Sequence, residues 1–197
     1  MRQCYTENII SWASPAAHDD GTTRVADVIR QHVAKGGRVG MLMGRETAVR
    51  MPLADLFCLQ QELGEMSWHD MTAEIQHIRM VKSPAEQAKL RHICGVVSDV
   101  FAHVPDWLQP GMPFDNCFRL FKIDALERGV DDVSYLVGGI GAGGYEDIIA
   151  PPVSKAVATG DVLMFDTGCV WDGYYSDFDR NFGVGSASNE ARDAHKK

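Results

Sequence analysis

What the chain lacks narrows it first. No stripe or cluster of Lys and Arg occurs, the longest basic run is Lys196-Lys197, and the net charge is -8 with a pI of about 5.3. Phosphate backbones are held by clustered cations, so this composition argues against a nucleic-acid partner. No apolar stretch reaches the roughly 18 residues needed to cross a bilayer. The opening residues "MRQCYTENII" lack the apolar centre of a signal peptide, so a cytoplasmic location and no membrane partner are expected. The five cysteines, Cys4, Cys58, Cys94, Cys117 and Cys169, are odd in number and never spaced C-x-x-C. That pattern fits reduced, structural thiols, not a disulfide framework or a zinc ribbon. Internal repeats and low-complexity segments are absent too.

What is present is ordinary for a soluble domain. In 197 residues, 45% are apolar and 23% charged, enough for one or two domains with a sizeable core. Residues 22–35 carry Val25, Val28, Ile29, His32 and Val33 at helical spacing, and Gly36-Gly37 ends the pattern. "RVGMLM" (38–43) reads as a short buried strand. "MPLADLFCLQQELG" (51–64) reads as a helix with Leu53, Leu56, Phe57 and Leu59 near its core face. "MTAEIQHIRMVKS" (71–83) alternates around Ile78 and Met80 and predicts a strand. Helix, strand, helix, strand makes a small α/β unit.

A boundary follows near residue 80. Ser83, Pro84 and Glu86 form a capping box with Pro at the first helical position. The helix they start carries Leu90, Ile93, Cys94, Val97, Val100 and Phe101 on one face and is expected to run to about His103, ahead of Pro105. A second helix covers 114–128. "VSYLVGGIGAGGY" reads as a strand leading into a glycine-rich loop. Its glycines look like a dinucleotide fingerprint, but Pro151-Pro152 forbids the helix such a motif needs. "DVLMFDTG" and "YYSDFDRNFGVG" are strands joined by a turn, and Ser188 or Asn189 caps a last helix.

The two strands pose the functional question. Asp172-Gly173 is a favoured two-residue hairpin turn. Centred there, the hairpin sets Asp166 opposite Asp179; centred one residue earlier, it sets Asp166 opposite Asp177. In both cases residues 166, 177 and 179 share one face, because side chains alternate with period two. Facing carboxylates raise each other's pKa or need a cation. Three readings stand from spacing alone: solvent-facing acids, an acid paired with a base such as Arg180 or Lys155, or a divalent metal site with hard oxygen ligands.

The stretch "GDVLMFDTGCVWDGYYSDFDRNFGVG" (160–185) resembles the signature of the pita-bread metallopeptidases, a family that includes aminopeptidase P, prolidase and methionine aminopeptidase, with creatinase as a metal-free relative. Its pattern is Gly-Asp, an apolar strand, Asp-x-Gly, a turn, Gly-Tyr, then Ser-Asp-x-x-Arg-x-Phe. "IRMVKSPAEQAKLR" (78–91) is similar to the junction between the family's N-terminal domain and first catalytic helix, so the likeness covers roughly residues 38–197. It implies an α/β (α+β) chain: a partial N-terminal creatinase/prolidase-like domain at 1–80, then the first half of a pita-bread catalytic domain at 81–197. It also implies two divalent metal ions, commonly manganese, cobalt or zinc. Asp166 would bind one and Asp177 would bridge both. Asp179 would stand behind them, paired with Arg180. The implied activity is hydrolysis of the Xaa-Pro aminopeptidase/dipeptidase type, a metal-bound hydroxide attacking the amide of a small peptide. Members are often dimers, so a homodimer is compatible.

The sequence departs from the family in two ways. The remaining family ligands are one His and two Glu well downstream of the second Asp. After Asp177 only Glu190, Asp193 and His195 occur, in a polar helix start that reads as a solvated face. The chain therefore reads as a truncated piece, inactive alone, or as a non-catalytic fragment. The peptidases also carry a His whose place falls near Ile149, and no His occurs between His103 and His195. That keeps open a creatinase-like or other small-molecule C–N hydrolase or lyase. His32, His69, His77, His92 and His103 read as structural or surface residues. Trp171, Tyr174 and Tyr175 read as packing around the hairpin or as an aromatic wall over a substrate, with Tyr174 the candidate substrate-binding residue.

Overall fold

The computed structural model describes residues 8–196; Cys4 and Lys197 lie outside them. The chain divides after Val81 into two compact units.

In the first unit, helix α1 (Thr22–His32), strand β1 (Arg38–Met41), helix α2 (Leu53–Glu62), strand β2 (Ser67–Asp70) and helix α3 (Thr72–Met80) follow in order. β1 and β2 pair in parallel, Arg38 with Ser67 through Met41 with Asp70, as expected for strands joined by a crossover helix. A small core of Ala26, Leu59 and Leu63 takes in Val25, Ile29, Met51, Met66 and Trp68. Leu53 and Phe57, expected near the core, face outward, 64% and 58% exposed.

Residues 72–80 are helical, not the strand expected from the alternation around Ile78 and Met80. The Asp70 carboxylate accepts the backbone N–H and hydroxyl of Thr72 and the N–H of Met43. That local side-chain bonding turns the chain out of β2 and into α3. Ile78 and Met80 are both exposed, so their alternation marked no buried face.

The second unit opens on α4 (Pro84–Trp107). Both reciprocal bonds of its capping box are present: Ser83 Oγ accepts from Glu86 N–H, and Glu86 accepts from Ser83 N–H. The helix passes through Pro105 instead of stopping near His103. Pro105 removes one N–H from the ladder, but Val104 is fully buried and its carbonyl still accepts from Leu108, so the last turn holds. Helix α5 (Phe114–Glu127) packs beside it.

Strand β3 (Asp132–Ala142) pairs antiparallel with β4 (Asp161–Trp171). β4 in turn pairs with β5 (Tyr174–Tyr175) and β6 (Phe178–Gly183), and α6 (Asn189–His195) follows. β3 runs on through Gly138, Gly139 and Gly141, where a loop was expected. The segment 144–147 lies directly on that strand: a Cβ on Gly139 would come within 2.7 Å of the Asp147 carbonyl and 2.8 Å of Tyr145. Gly139 and Gly141 keep the strand face bare for the loop above it, and a Cβ on Gly138 would come within 2.4 Å of the Met164 carbonyl on the core side, which accounts for all three without a phosphate.

Alternation along β4 divides its side chains. Leu163, Phe165, Thr167 and Cys169 are wholly buried, and Phe165 meets Phe114, Phe118 and Phe121 of α5 with centroids 6.2, 5.2 and 5.3 Å away. Ile93, Val97, Val100, Phe101 and Val104 complete this core from α4. Val162, Met164, Asp166 and Gly168 project from the opposite face.

Candidate active site: the acid face of the sheet

The hairpin turns on Asp172 and Gly173, both with positive φ (47° and 78°), the conformation of a type I′ turn. Trp171 therefore pairs with Tyr174, and Asp166 lies opposite Asp179. The turn is tied to α4. Lys89 Nζ lies 2.6 Å from Asp172, Tyr174 donates its hydroxyl to Glu86 at 3.0 Å, and His92 meets Trp171 with centroids 4.2 Å apart. Tyr174 thus points to the helix side of the sheet, and the structure does not bring it to the acids.

Arg180 points to that side as well. It pairs with Phe165, its guanidinium lies over Phe178 and Phe101, and Nη1 donates to the carbonyl of Asp179, not to its carboxylate. The expected Asp179–Arg180 side-chain pair is therefore not formed. Glu190, Asp193 and His195 are exposed on α6.

Asp166 and Asp177 do converge, and what joins them is Tyr135. Its hydroxyl donates to Asp166 Oδ1 at 3.3 Å and lies against Asp177 Oδ1. Tyr135 reaches this face because β3 is irregular. Val133 pairs with Cys169, but Tyr135 pairs with Gly168, so Ser134 is an extra residue. In an unbroken register Tyr135 would face the helices; one bulged residue flips it to the acid face. Thr167, fully buried, donates its hydroxyl to the Tyr135 carbonyl at 2.8 Å beside the bulge. Sequence reasoning had no signal for Tyr135, because a bulge is a property of two strands together.

A second tyrosine borders the same face. Tyr145 lies over Gly139 and donates to Asn181 Oδ1 at 2.7 Å, so it crosses from β3 to β6 above Met164. Ile148 and Ile149 of its loop are exposed, 56% and 72%.

The electrostatics follow the geometry. Burial, then the Asp177 charge, pushes the Asp166 carboxyl above the usual carboxylate range, while the Tyr135 bond pulls the other way. Burial, then the bond to Asp177 and the nearby carboxylates, pushes the Tyr135 phenol up and keeps it protonated. Tyr145 is pushed up by burial and by Asp179, against the bond to Asn181. Two phenolic protons thus border a face of carboxylate oxygens.

This donor set suits a hard divalent cation: two carboxylates share one phenol, and each is the other's unfavourable neighbour. Among the described residues no three His, Cys, Asp or Glu side chains converge on one point, so Asp166 and Asp177 would supply only part of a coordination sphere.

Residues 88–197 match the model of metallopeptidase family M24. An uncharacterized peptidase, YqhT, of Bacillus subtilis is 24% identical over 124 residues, 62% of this chain and 35% of the relative. A probable dipeptidase, PepE, of Mycobacterium tuberculosis is 24% identical over 152 residues, 74% of this chain and 37% of the relative. Among solved structures, an X-Pro aminopeptidase from Thermotoga maritima superposes with a TM-score of 0.74 at 19% identity, covering 90% of this chain and 48% of that one. A dipeptidase from Pyrococcus horikoshii gives 0.75 at 18% identity, covering 91% and 48%. The fold is that of the pita-bread enzymes, and the chain spans about half the length of these solved relatives.

Proposed function

Because the chain belongs to metallopeptidase family M24, we propose that its acid face is part of the site of a metal-dependent hydrolase of the Xaa-Pro aminopeptidase/dipeptidase type. The observation that carries this is the convergence of Asp166 and Asp177 on the Tyr135 hydroxyl. In this reading Asp166 and Asp177 hold a divalent pair, manganese, cobalt or zinc. When bound, such ions supply Lewis acidity and an activated water.

The chain's own residues do the rest. Asp166 and Asp177 present oxygens from neighbouring strands, and Tyr135 fixes their orientation with one proton. Asp179 stays outside their shared bond and adds negative potential beside them. Tyr145 and the exposed Ile148 and Ile149 form a wall on which a small peptide or amide substrate would rest. Residues 1–80 serve as the partial N-terminal domain of such an enzyme, working in the cytoplasm.

With no third ligand side chain converging among the described residues, the chain by itself is inactive. Purified chain should release no product from a Xaa-Pro dipeptide in the presence of Mn²⁺; metal-stimulated cleavage would contradict this. Metal content should fall in Asp166→Asn and Asp177→Asn, and unchanged content would reject the ligand assignment.

A second reading, a creatinase-like or other small-molecule C–N hydrolase or lyase, draws on the same loop. Ile149, where the resemblance places a His, offers no proton to a peptide, and Tyr145 supplies the only hydroxyl that the loop sets on the acid face among the described residues. Comparing a cyclic or N-substituted amide with a Xaa-Pro dipeptide, in a chain that has regained activity, separates the two.

A further inference from the structure

β4 is flanked by two irregularities at the same level. On one side Ser134 is bulged out of β3, between Val133 paired with Cys169 and Tyr135 paired with Gly168. On the other side the ladder stops at Tyr175 and resumes at Phe178. No residue is inserted there: Val170 pairs with Tyr175 and Thr167 with Phe178, which is one continuous register. Ser176 and Asp177 are lifted out of the ladder without a slip.

Each irregularity carries a buried hydroxyl. Ser176 is 1% exposed and Thr167 0%. Ser176 N–H still donates to the Cys169 carbonyl at 2.9 Å. In a regular antiparallel pair the Cys169 N–H would return to the Ser176 carbonyl. It goes instead to Ser176 Oγ at 3.2 Å. The hydroxyl takes the carbonyl's place, and the Ser176 carbonyl turns to the acid face, 3.2 Å from where a Cβ of Gly168 would stand. The peptide that turns is the one leading into Asp177. On the β3 side, Thr167 Oγ1 donates to the carbonyl of Tyr135, the residue that the bulge redirects. Cys169 touches both hydroxyls, through its N–H to Ser176 and its sulfur to Thr167 Oγ1 at 3.8 Å.

We propose that Thr167 and Ser176 are positioning residues: their buried hydroxyls hold the two ladder defects beside β4 and thereby aim Tyr135 and Asp177 at Asp166. A hydroxyl buried without such a role is costly, and both sites would take an apolar side chain of similar size in a regular sheet. The importance of the arrangement rests on reading Asp166 and Asp177 as the site's acids, but the geometry itself needs no metal.

The test uses the full chain, metal-free, with four variants: Ser176→Ala, Ser176→Thr, Thr167→Val and Thr167→Ser. Two NMR signals are read: the ring ¹³Cζ resonance of Tyr135, which reports its hydroxyl bond, and the exchange rate of the Cys169 amide. Ser176→Ala should move the Tyr135 resonance to its position in Asp177→Asn and speed Cys169 exchange by about tenfold or more. Thr167→Val should move the Tyr135 resonance too. The Thr and Ser replacements should restore both signals. A merely structural hydroxyl would lower the melting midpoint and leave the Tyr135 resonance in place; that result overturns the proposal. If Ser176→Ala does not fold, Ser176→Cys serves, since a thiol of similar size accepts weakly; an unmoved Tyr135 resonance there overturns it equally. Mn²⁺ is then added to the same samples. Broadening of Tyr135 in wild type and Ser176→Thr but not in Ser176→Ala supports positioning and metal together. If Mn²⁺ broadens nothing in wild type, the metal reading fails while the metal-free signals still decide the positioning.

Discussion

The Tyr135 ring lies against Gly168. A Cβ on Gly168 would come within 2.4 Å of Tyr135 Cε1 and 2.9 Å of Cδ1. Real side-chain contacts do not reach such distances, so the bare position is what lets the phenol drop to the level of Asp166 and Asp177. Gly168→Ala should push the ring off the strand and break its bonds to both acids. A stability loss of about 1–3 kcal/mol is expected from overpacking, read as a lower urea midpoint at unchanged slope. A Gly168→Ala chain with wild-type stability and an unmoved Tyr135 resonance would show that the sheet can yield, and the close fit would then mean little.

Asp166 is held at a cost. Burial and the Asp177 charge both disfavour its ionised form. Asn at this position keeps an oxygen for the Tyr135 hydroxyl and removes the repulsion. In metal-free chain at pH 7, Asp166→Asn should therefore raise the thermal midpoint by a few degrees while lowering retained Mn²⁺. The two effects have opposite signs, as expected where a site sacrifices stability for function. A lower midpoint would show that the carboxylate is favourably held in the fold.

Glu86 serves two partners, the Ser83 N–H at the start of α4 and the Tyr174 hydroxyl at the hairpin. The bond from Ser83 N–H, followed by the Ser83 and Tyr174 side chains, lowers its carboxyl from the ordinary 4.5. A depressed acid stabilises the fold above its unfolded pKa and loses that contribution as pH falls through the folded value. The midpoint difference between wild type and Glu86→Ala should thus be constant from pH 7 to about 5 and shrink below the ordinary value. A difference that stays constant down to pH 3 would place the effect in packing.

Much of this architecture was legible because its signals are local. Ser83, Pro84 and Glu86 announce a helix start within four residues, and Asp172-Gly173 sets the hairpin register that places Asp166 opposite Asp179. The strand expected at 71–83 failed for a local reason of a different kind, the Asp70 carboxylate binding Thr72. The meeting of Asp166, Asp177 and Tyr135 was only half legible. Period two put the acids on one face, but a regular strand would have sent Tyr135 the other way. The bulge at Ser134 and the Ser176 hydroxyl arise where two strands disagree, and a single strand's pattern cannot express that. Gly139 and Gly141 show the same limit, since their reason is the loop folded back upon them.

The cysteines offer a test of the core that needs no metal and no substrate. Cys117 is wholly buried on α5, its thiol is pushed up to about 11 by burial, and its sulfur donates to the Pro113 carbonyl at 3.5 Å. Cys169, on the core side of β4, is wholly buried and also pushed up by burial. The thiolate is the reactive form, so at pH 8 only about one Cys117 in a thousand would be reactive even if reached. Cys58 is exposed on α2. Alkylation of the native chain at pH 8, followed by peptide mapping, should label Cys58 at least on the order of 100 times faster than Cys117 or Cys169. The two buried thiols should react only on unfolding, at rates that follow the opening of the sheet and α5 together. Rapid native labelling of Cys169 would mean that the strand carrying Asp166 opens locally, and the acid face would then lack the rigid support that its geometry requires.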